Sequence, residues 1–165
     1  MSKQKRVKDQ FNWTPPHEQK GRFVFPLSDK VEERKPLLWL VRTNSEKNMV
    51  DDVFLVNLTG EVLDMVAAGN TGFQSIDDEE QVNLISGSRF VYENVETNEA
   101  VKVEEYDGIL DYDSMLGITL YIKSKKLGNI QIGTDVKKGG VENMVLLWDT
   151  GETGKKAGVS EWDDD

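Results

Sequence analysis

Apolar and polar residues alternate with a period of two along much of this chain, and this periodicity limits what it can fold into. In Gly117 to Lys123 every second side chain is a branched aliphatic one. Successive side chains of a β-strand point to opposite faces, so the pattern predicts a strand buried on one face. The same alternation recurs around Val101 and Val103 and around Ile130 and Ile132. The chain is therefore predicted to be rich in strands.

Three short runs are apolar on both faces: Leu37 to Val41, Val53 to Val56, and Met144 to Trp148. Such runs are typical of central strands covered on both sides, or of strands at a dimer face. A buried helix has the same pattern, but the short length and the Val, Phe and Trp content favour strands.

Turn signals separate the apolar runs. Hairpin turns are predicted at Thr59-Gly60, Leu127 to Asn129 and Lys137 to Gly140, and a further turn at 69–72. Helix signals are limited to capping-box spacings at Asp29 with Glu32 and at Asp77 with Glu80.

About nine or ten strands at this spacing predict an all-β fold, an antiparallel two-sheet β-sandwich or flattened barrel with at most one or two short helices. The expected core residues are Phe23, Phe25, Leu38, Leu40, Phe54, Val56, Val101, Val103, Ile118, Leu120, Ile122, Ile130, Ile132, Leu146 and Trp148.

Composition divides the chain into three segments. Residues 1–21 are predicted to form a flexible basic N-terminal arm, residues 22–150 the β domain, and residues 151–165 a mobile acidic C-terminal tail. Phe11 and Trp13 in the arm either strap back onto the body or form a short linear motif for a partner. The tail ends with Trp162 and three aspartates.

The charge is unevenly distributed. The net charge is -10, and residues 51–113 carry sixteen acidic and two basic side chains. A stretch this negative repels a phosphate backbone, so no nucleic-acid partner is expected. No apolar run has the length of a membrane span, and the N-terminus has no apolar signal segment, so neither a membrane partner nor secretion is expected. The absence of cysteine agrees with a cytoplasmic protein.

Catalytic motifs are scarce. The single histidine, His17, follows two prolines in the arm, where the rigid geometry of a catalytic triad is not expected. No phosphate-binding glycine loop is found, and no cofactor is predicted. Glu104, Glu105, Asp111 and Asp113 are the only dense candidates for paired carboxylates. Adjacent Glu104 and Glu105 should face opposite sides of a strand.

Three aspartates in one loop are weak candidates for metal ligands. Asp107, Asp111 and Asp113 have a spacing that can converge on a hard cation such as calcium, although the spacing differs from that of an EF-hand. A solvated acidic loop between two strands explains them more simply.

These features favour a non-enzymatic acidic protein-binding module that engages a basic protein, such as an immunity-type inhibitor of a toxin or nuclease. Ordinary solubility also accounts for the acidic stretch. One alternative is a structural protein that forms a β-rich homo-oligomer, and a remote one is a carboxylate- or metal-dependent hydrolase. The candidate partner-binding residues are Asp77, Asp78, Glu79, Glu80, Glu104, Glu105, Asp111, Asp113 and Trp162.

Overall fold

The computed structural model describes residues 4–15, 32–71 and 90–161. These residues form strands and no helix. The strands are β1 (Arg6–Lys8), β2 (Pro36–Asn44), β3 (Val50–Asn57), β4 (Leu63–Thr71), β5 (Phe90–Val95), β6 (Glu99–Asp107), β7 (Met115–Ser124), β8 (Gly128–Thr134), β9 (Lys137–Lys138), β10 (Met144–Trp148) and β11 (Ala157–Glu161).

The strands form two antiparallel sheets that pack face to face. The first sheet has five strands in the order β1-β6-β3-β2-β10. The second has six, in the order β11-β8-β7-β4-β5, with β9 paired to the start of β7. The sheets do not close into a barrel, and the predicted all-β two-sheet sandwich is confirmed.

The main core lies between the two sheets. Ile118, Leu120 and Ile122 of β7, which were predicted to share a face, are fully buried there. Ten of the predicted core residues belong to this cluster: Leu38, Leu40, Val101, Val103, Ile118, Leu120, Ile122, Ile130, Ile132 and Leu146. Phe54, Val56 and Trp148 are buried but lie outside this cluster, and Phe23 and Phe25 lie outside the described residues.

A second apolar cluster covers the outer face of the first sheet. Residues 4–15, which we call the strap, cross this face after β1 pairs with β6. The ring centroid of Phe11 lies 5.3 Å from that of Phe54, and Trp13 meets Trp148 edge-on at 5.7 Å. Both faces of β2 and β3 are therefore covered, as their two-faced apolar runs predicted, and the arm straps back onto the body.

Two predicted turns are wrong. Thr59-Gly60 does not close a hairpin, because β3 and β4 belong to different sheets. The buried Asn57 amide donates to the carbonyls of Glu61 (2.8 Å) and Val95 (3.0 Å), which shapes a corner between the sheets. Gly69 lies within β4 and pairs with Thr119, because pairing with β7 extends the strand to Thr71, where the turn was predicted.

The hairpin turn at Leu127 to Asn129 is confirmed between β7 and β8. The signal at Lys137 to Gly140 marks a different arrangement, since Lys137 and Lys138 form β9 against β7. Parts of the predicted arm and tail also form strands, β1 and β11, which the sequence analysis did not anticipate. The three-segment division itself stays a prediction.

Candidate functional site

Several connections meet at one end of the sandwich. The β2–β3 turn (45–49) contacts the β6–β7 loop (108–114), where the Gly108 N–H donates to the Met49 carbonyl at 2.7 Å. The Gly139 N–H donates to the Ser114 carbonyl at 2.9 Å, which brings the β9–β10 connection to the same place. We call this surface, formed by residues 45–49, 108–116 and 135–143, the loop end.

Large apolar side chains are exposed at the loop end. Leu110 is 77% exposed, Tyr112 67% and Ile109 62%. Met49, Met115 and Val136 are exposed beside them. Elsewhere in residues 4–15, 32–71 and 90–161, the only exposed large hydrophobic residue is Val62, in the β3–β4 connection. Soluble proteins rarely concentrate exposed apolar groups in this way unless the surface binds something.

Hydrogen bonds within the β6–β7 loop hold Ile109 and Leu110 in place. The Asp107 Oδ1 accepts the N–H groups of Ile109 (2.8 Å) and Leu110 (3.0 Å). The Leu110 and Ile109 N–H groups lower the pKa of Asp107, so its carboxylate stays ionised. The Asp111 Oδ2 in turn accepts the Asp107 N–H at 2.7 Å. The loop therefore presents its apolar pair on a pre-organised backbone.

Hydrogen bonds and one ion pair engage the three candidate metal ligands. Asp107 and Asp111 accept N–H groups of their own loop, and the Asp113 Oδ1 lies 2.9 Å from the Lys138 Nζ. Among the residues that the structure describes, no group of three His, Asp or Glu side chains could hold a metal ion. Short Asp spacings suit a side-chain-capped turn as well as a cation site.

Tyr106 anchors the base of the loop end. Its side chain is almost completely buried, and its hydroxyl accepts the Val141 N–H at 3.2 Å. Burial raises the pKa of Tyr106 to about 12. A Cβ atom on Gly140, which has a φ of +95°, would lie 2.4 Å from the Tyr106 ring, so only glycine fits there. The Arg42 guanidinium lies 4.8 Å from the centre of the same ring.

The candidate acids on β6 face opposite sides of the strand, as expected. Glu104 is paired in register with the core residue Val53 and is 1% exposed, so its carboxylate does not reach the surface. Glu105 is paired with Asp52, and its Oε2 lies 2.5 Å from the Lys102 Nζ. Neither carboxylate is positioned as an open contact for a partner.

Lys102 is the centre of a buried charge cluster. Its Nζ also lies 3.1 Å from the Asp52 Oδ1, without the geometry of a hydrogen bond, so that contact is mainly electrostatic. Burial alone would lower the pKa of Lys102, but Glu105 and Asp52 together outweigh it and the pKa is raised. Lys102 therefore stays an ammonium ion, which suits a structural ion pair and not a nucleophile.

The remaining predicted partner-binding residues, Asp77, Asp78, Glu79, Glu80 and Trp162, lie outside the described residues. Sequence reasoning included Asp111 and Asp113 of the loop end but missed its apolar residues. The available signal was the pair Ile109-Leu110, placed between Gly108 and Asp111 in a stretch without strand periodicity.

No protein-family model, no curated protein and no solved structure matches this chain. The described residues contain no helix with the length and apolar character needed to cross a membrane. Inference about function therefore depends on the geometry of the loop end.

Proposed function

We propose that this chain is a non-enzymatic protein-binding module that docks through its loop end. The observation that supports this proposal is the concentration of exposed apolar side chains there, centred on Ile109, Leu110 and Tyr112. A few residues near the centre of an interface supply most of the binding free energy, and tyrosine is enriched among them. A pre-organised loop loses little conformational entropy on binding, which favours this use.

The proposed partner is a basic protein with an apolar pocket. The loop end carries the acidic residues Glu46, Asp111, Asp113, Asp135 and Glu142 against the basic residues Lys47, Lys137 and Lys138, a net charge of -2. Asp113 and Glu142 have lysine neighbours. Acidic groups at the rim would accelerate the encounter with a positively charged surface. An immunity-type inhibitor of a basic toxin or nuclease has this chemistry, and the cytoplasm remains the proposed compartment.

No observation favours the hydrolase alternative. Glu104 is buried on the core side of β6, while Glu105 is bound to Lys102 on the other side. A pair of carboxylates for glycoside hydrolysis has to flank one cleft.

Site-specific photo-crosslinking in the native host tests the docking surface and identifies the partner. A benzoylphenylalanine placed at Leu110 or Tyr112 should give one covalent adduct with a basic protein. The same group at Val62, which is 43% exposed in the β3–β4 connection, is the matched control. Adducts of equal yield at all three positions would contradict the proposal.

Affinity measurements with the captured protein complete the test. Leu110→Ser combined with Tyr112→Ser should raise the Kd at least about 30-fold, equivalent to a loss of ~2 kcal/mol of binding free energy at hot-spot residues. Val62→Ser should change the Kd less than about twofold. Replacing Asp77, Asp78, Glu79 and Glu80 by their amides should lower kon at low salt if this acidic block steers the encounter. An unchanged Kd for the loop variant would refute docking at the loop end.

A further inference from the structure

Three of the four sheet edges are covered by the chain itself. At the edge formed by β1 and β5, the Arg6 guanidinium donates to the carbonyls of Glu93 and Asn94. The Gln4 side chain accepts the Val91 N–H there at 2.9 Å. At the β10 edge, the Trp148 N–H donates to the Glu152 carbonyl at 2.8 Å. The fourth edge, β11, pairs only with β8 among the described strands.

The hydrogen-bond pattern shows which groups of β11 face outward. The Asp135 N–H donates to the Lys156 carbonyl at 2.9 Å, in the same register as the β11–β8 ladder. Antiparallel ladders alternate between bonded and non-bonded pairs, so Gly158 and Ser160 bond to β8. Val159 and Glu161 then point their N–H and C=O groups away from the sheet.

The composition of β11 does not protect this edge. Natural edge strands commonly carry lysine, proline or a bulge that prevents pairing with another chain. Residues 157–160 are Ala, Gly, Val and Ser, and the β11–β8 register has no shift. Val159 packs partly against the main core, at the sheet edge that no other described strand covers.

We propose that β11 pairs with β11 of a second copy of this chain, antiparallel and around a twofold axis at Val159. The outward groups of Val159 and Glu161 set this register, because Val159 then faces itself and Glu161 faces Ala157 of the other copy. The Ala157 carbonyl accepts in this pair, since its N–H donates to the Gly154 carbonyl at 3.2 Å. Charge complementarity supports a second copy as the occupant. Lys155 precedes the strand and Glu161 ends it, on the same face, so each copy places Lys155 diagonally across from the partner's Glu161.

This interface does not use the exposed apolar residues of the loop end and does not depend on the proposed function. A five-residue strand pair buries less surface than a standard interface, so the dimer should be weak and dependent on concentration. We expect a monomer at about 5 µM and a substantial dimer fraction at about 500 µM.

Disulfide trapping tests the register, because the chain has no cysteine of its own. In the proposed pairing the two Val159 Cα atoms lie about 5.5 Å apart, which a disulfide can span. Val159→Cys should therefore form a covalent dimer under mild oxidation, at least about tenfold faster than Ser160→Cys. The Ser160 Cα atoms would be more than about 7 Å apart, beyond disulfide reach. Equal rates for the two variants would overturn the proposal.

Sedimentation velocity tests the interface without a cross-link. Lys155→Glu and Glu161→Lys should each weaken the dimer by about 2- to 10-fold, and the combined swap should restore it. Val159→Pro removes only an outward N–H group and should abolish dimerisation while β11 stays paired with β8. A wild-type protein that stays monomeric at about 500 µM would overturn the proposal. So would a dimer that Val159→Pro does not weaken.

Discussion

Lys102 is an ammonium ion held by two carboxylates on the side of the first sheet that faces the strap. Its side chain is only 7% exposed, as is that of Asp52. Transferring charged side chains from water into the protein interior is costly. The cluster is tolerated because each charge has a partner. The Asp52–Lys102 ion pair constrains the relative position of β3, which carries Asp52, and β6, which carries Lys102.

Replacing Lys102 by Met should destabilise the fold by about 3–5 kcal/mol, because it leaves Asp52 and Glu105 without their shared cation. The triple variant Asp52→Asn, Lys102→Met, Glu105→Gln should recover most of that loss. Urea unfolding at pH 7 measures both changes. If the triple variant is no more stable than Lys102→Met alone, the unpaired carboxylates are not the cause of the lost stability.

At the scale of elements, the strap converts the first sheet from a one-sided to a two-sided layer. β1 pairs with β6 along Arg6 to Lys8, and Phe11 and Trp13 then cover the apolar outer face. Arg34 lies 4.1 Å from the centre of the Trp148 ring, which Trp13 also contacts. The strap is therefore part of the fold, and its aromatic side chains have internal partners.

Trp13→Ala should destabilise the fold by about 2 kcal/mol, less than for a fully buried Trp because the side chain is only half-buried. The matched control is Asn12→Ala, since Asn12 is an exposed neighbour on the same segment and should cost less than about 0.5 kcal/mol. Thermal or urea unfolding distinguishes the two. Equal stabilities would mean that the strap does not contribute to folding.

The sequence predicts a strand where a local pattern of side chains determines it. It does not do so where contacts with distant residues determine the structure. The alternation in β7 identified Ile118, Leu120 and Ile122 as one buried face because strand geometry alone imposes a period of two. The corner at Thr59-Gly60 depends on where the Asn57 amide finds its acceptors, one of which is 38 residues away. No local signal contains that information.

Short strands and exposed side chains were missed for related reasons. The alternation in β11 involves only Ala157 and Val159, which is too short to identify a strand, and β8 offers it an edge to pair with. The apolar residues of the loop end lie in turns, where periodicity does not predict burial. The candidate acids Asp111 and Asp113 were found from composition, but their hydrogen bonds and ion pair required the folded loop.

For the whole molecule, the uneven charge of the chain is partly compensated internally. The basic arm lies against the acidic stretch, with Arg6 3.1 Å from Glu99 and Lys8 3.0 Å from Glu96. These exposed pairs contribute little stability individually. They do mean that part of the acidic surface already has a basic neighbour within the same chain.

Alkaline pH should destabilise the whole fold. Burial raises the pKa of Tyr92 and of Tyr106 to about 12, whereas an unfolded phenol titrates near ~10. Between these values the folded state retains more protons than the unfolded state, so the free energy of unfolding falls as the pH rises. Lys102, whose pKa is also raised, contributes in the same direction.

Urea unfolding of the wild type and of Tyr106→Phe at pH 9 and pH 11 measures this effect. The variant should lose less stability than the wild type between the two pH values, even if it is less stable at both. Equal losses would show that Tyr106 is not responsible.

The pairing of β1 with β6 has a consequence for synthesis on the ribosome. Arg6 is 93 residues from its partner Glu99, so β1 has no edge to join until β6 has been made. At roughly 5–20 residues per second, that interval is about 5–20 s. During this time the basic, aromatic strap has no β6 to pair with. Docking of β1 therefore waits for a strand made well after it, although β7 to β11 are made later still.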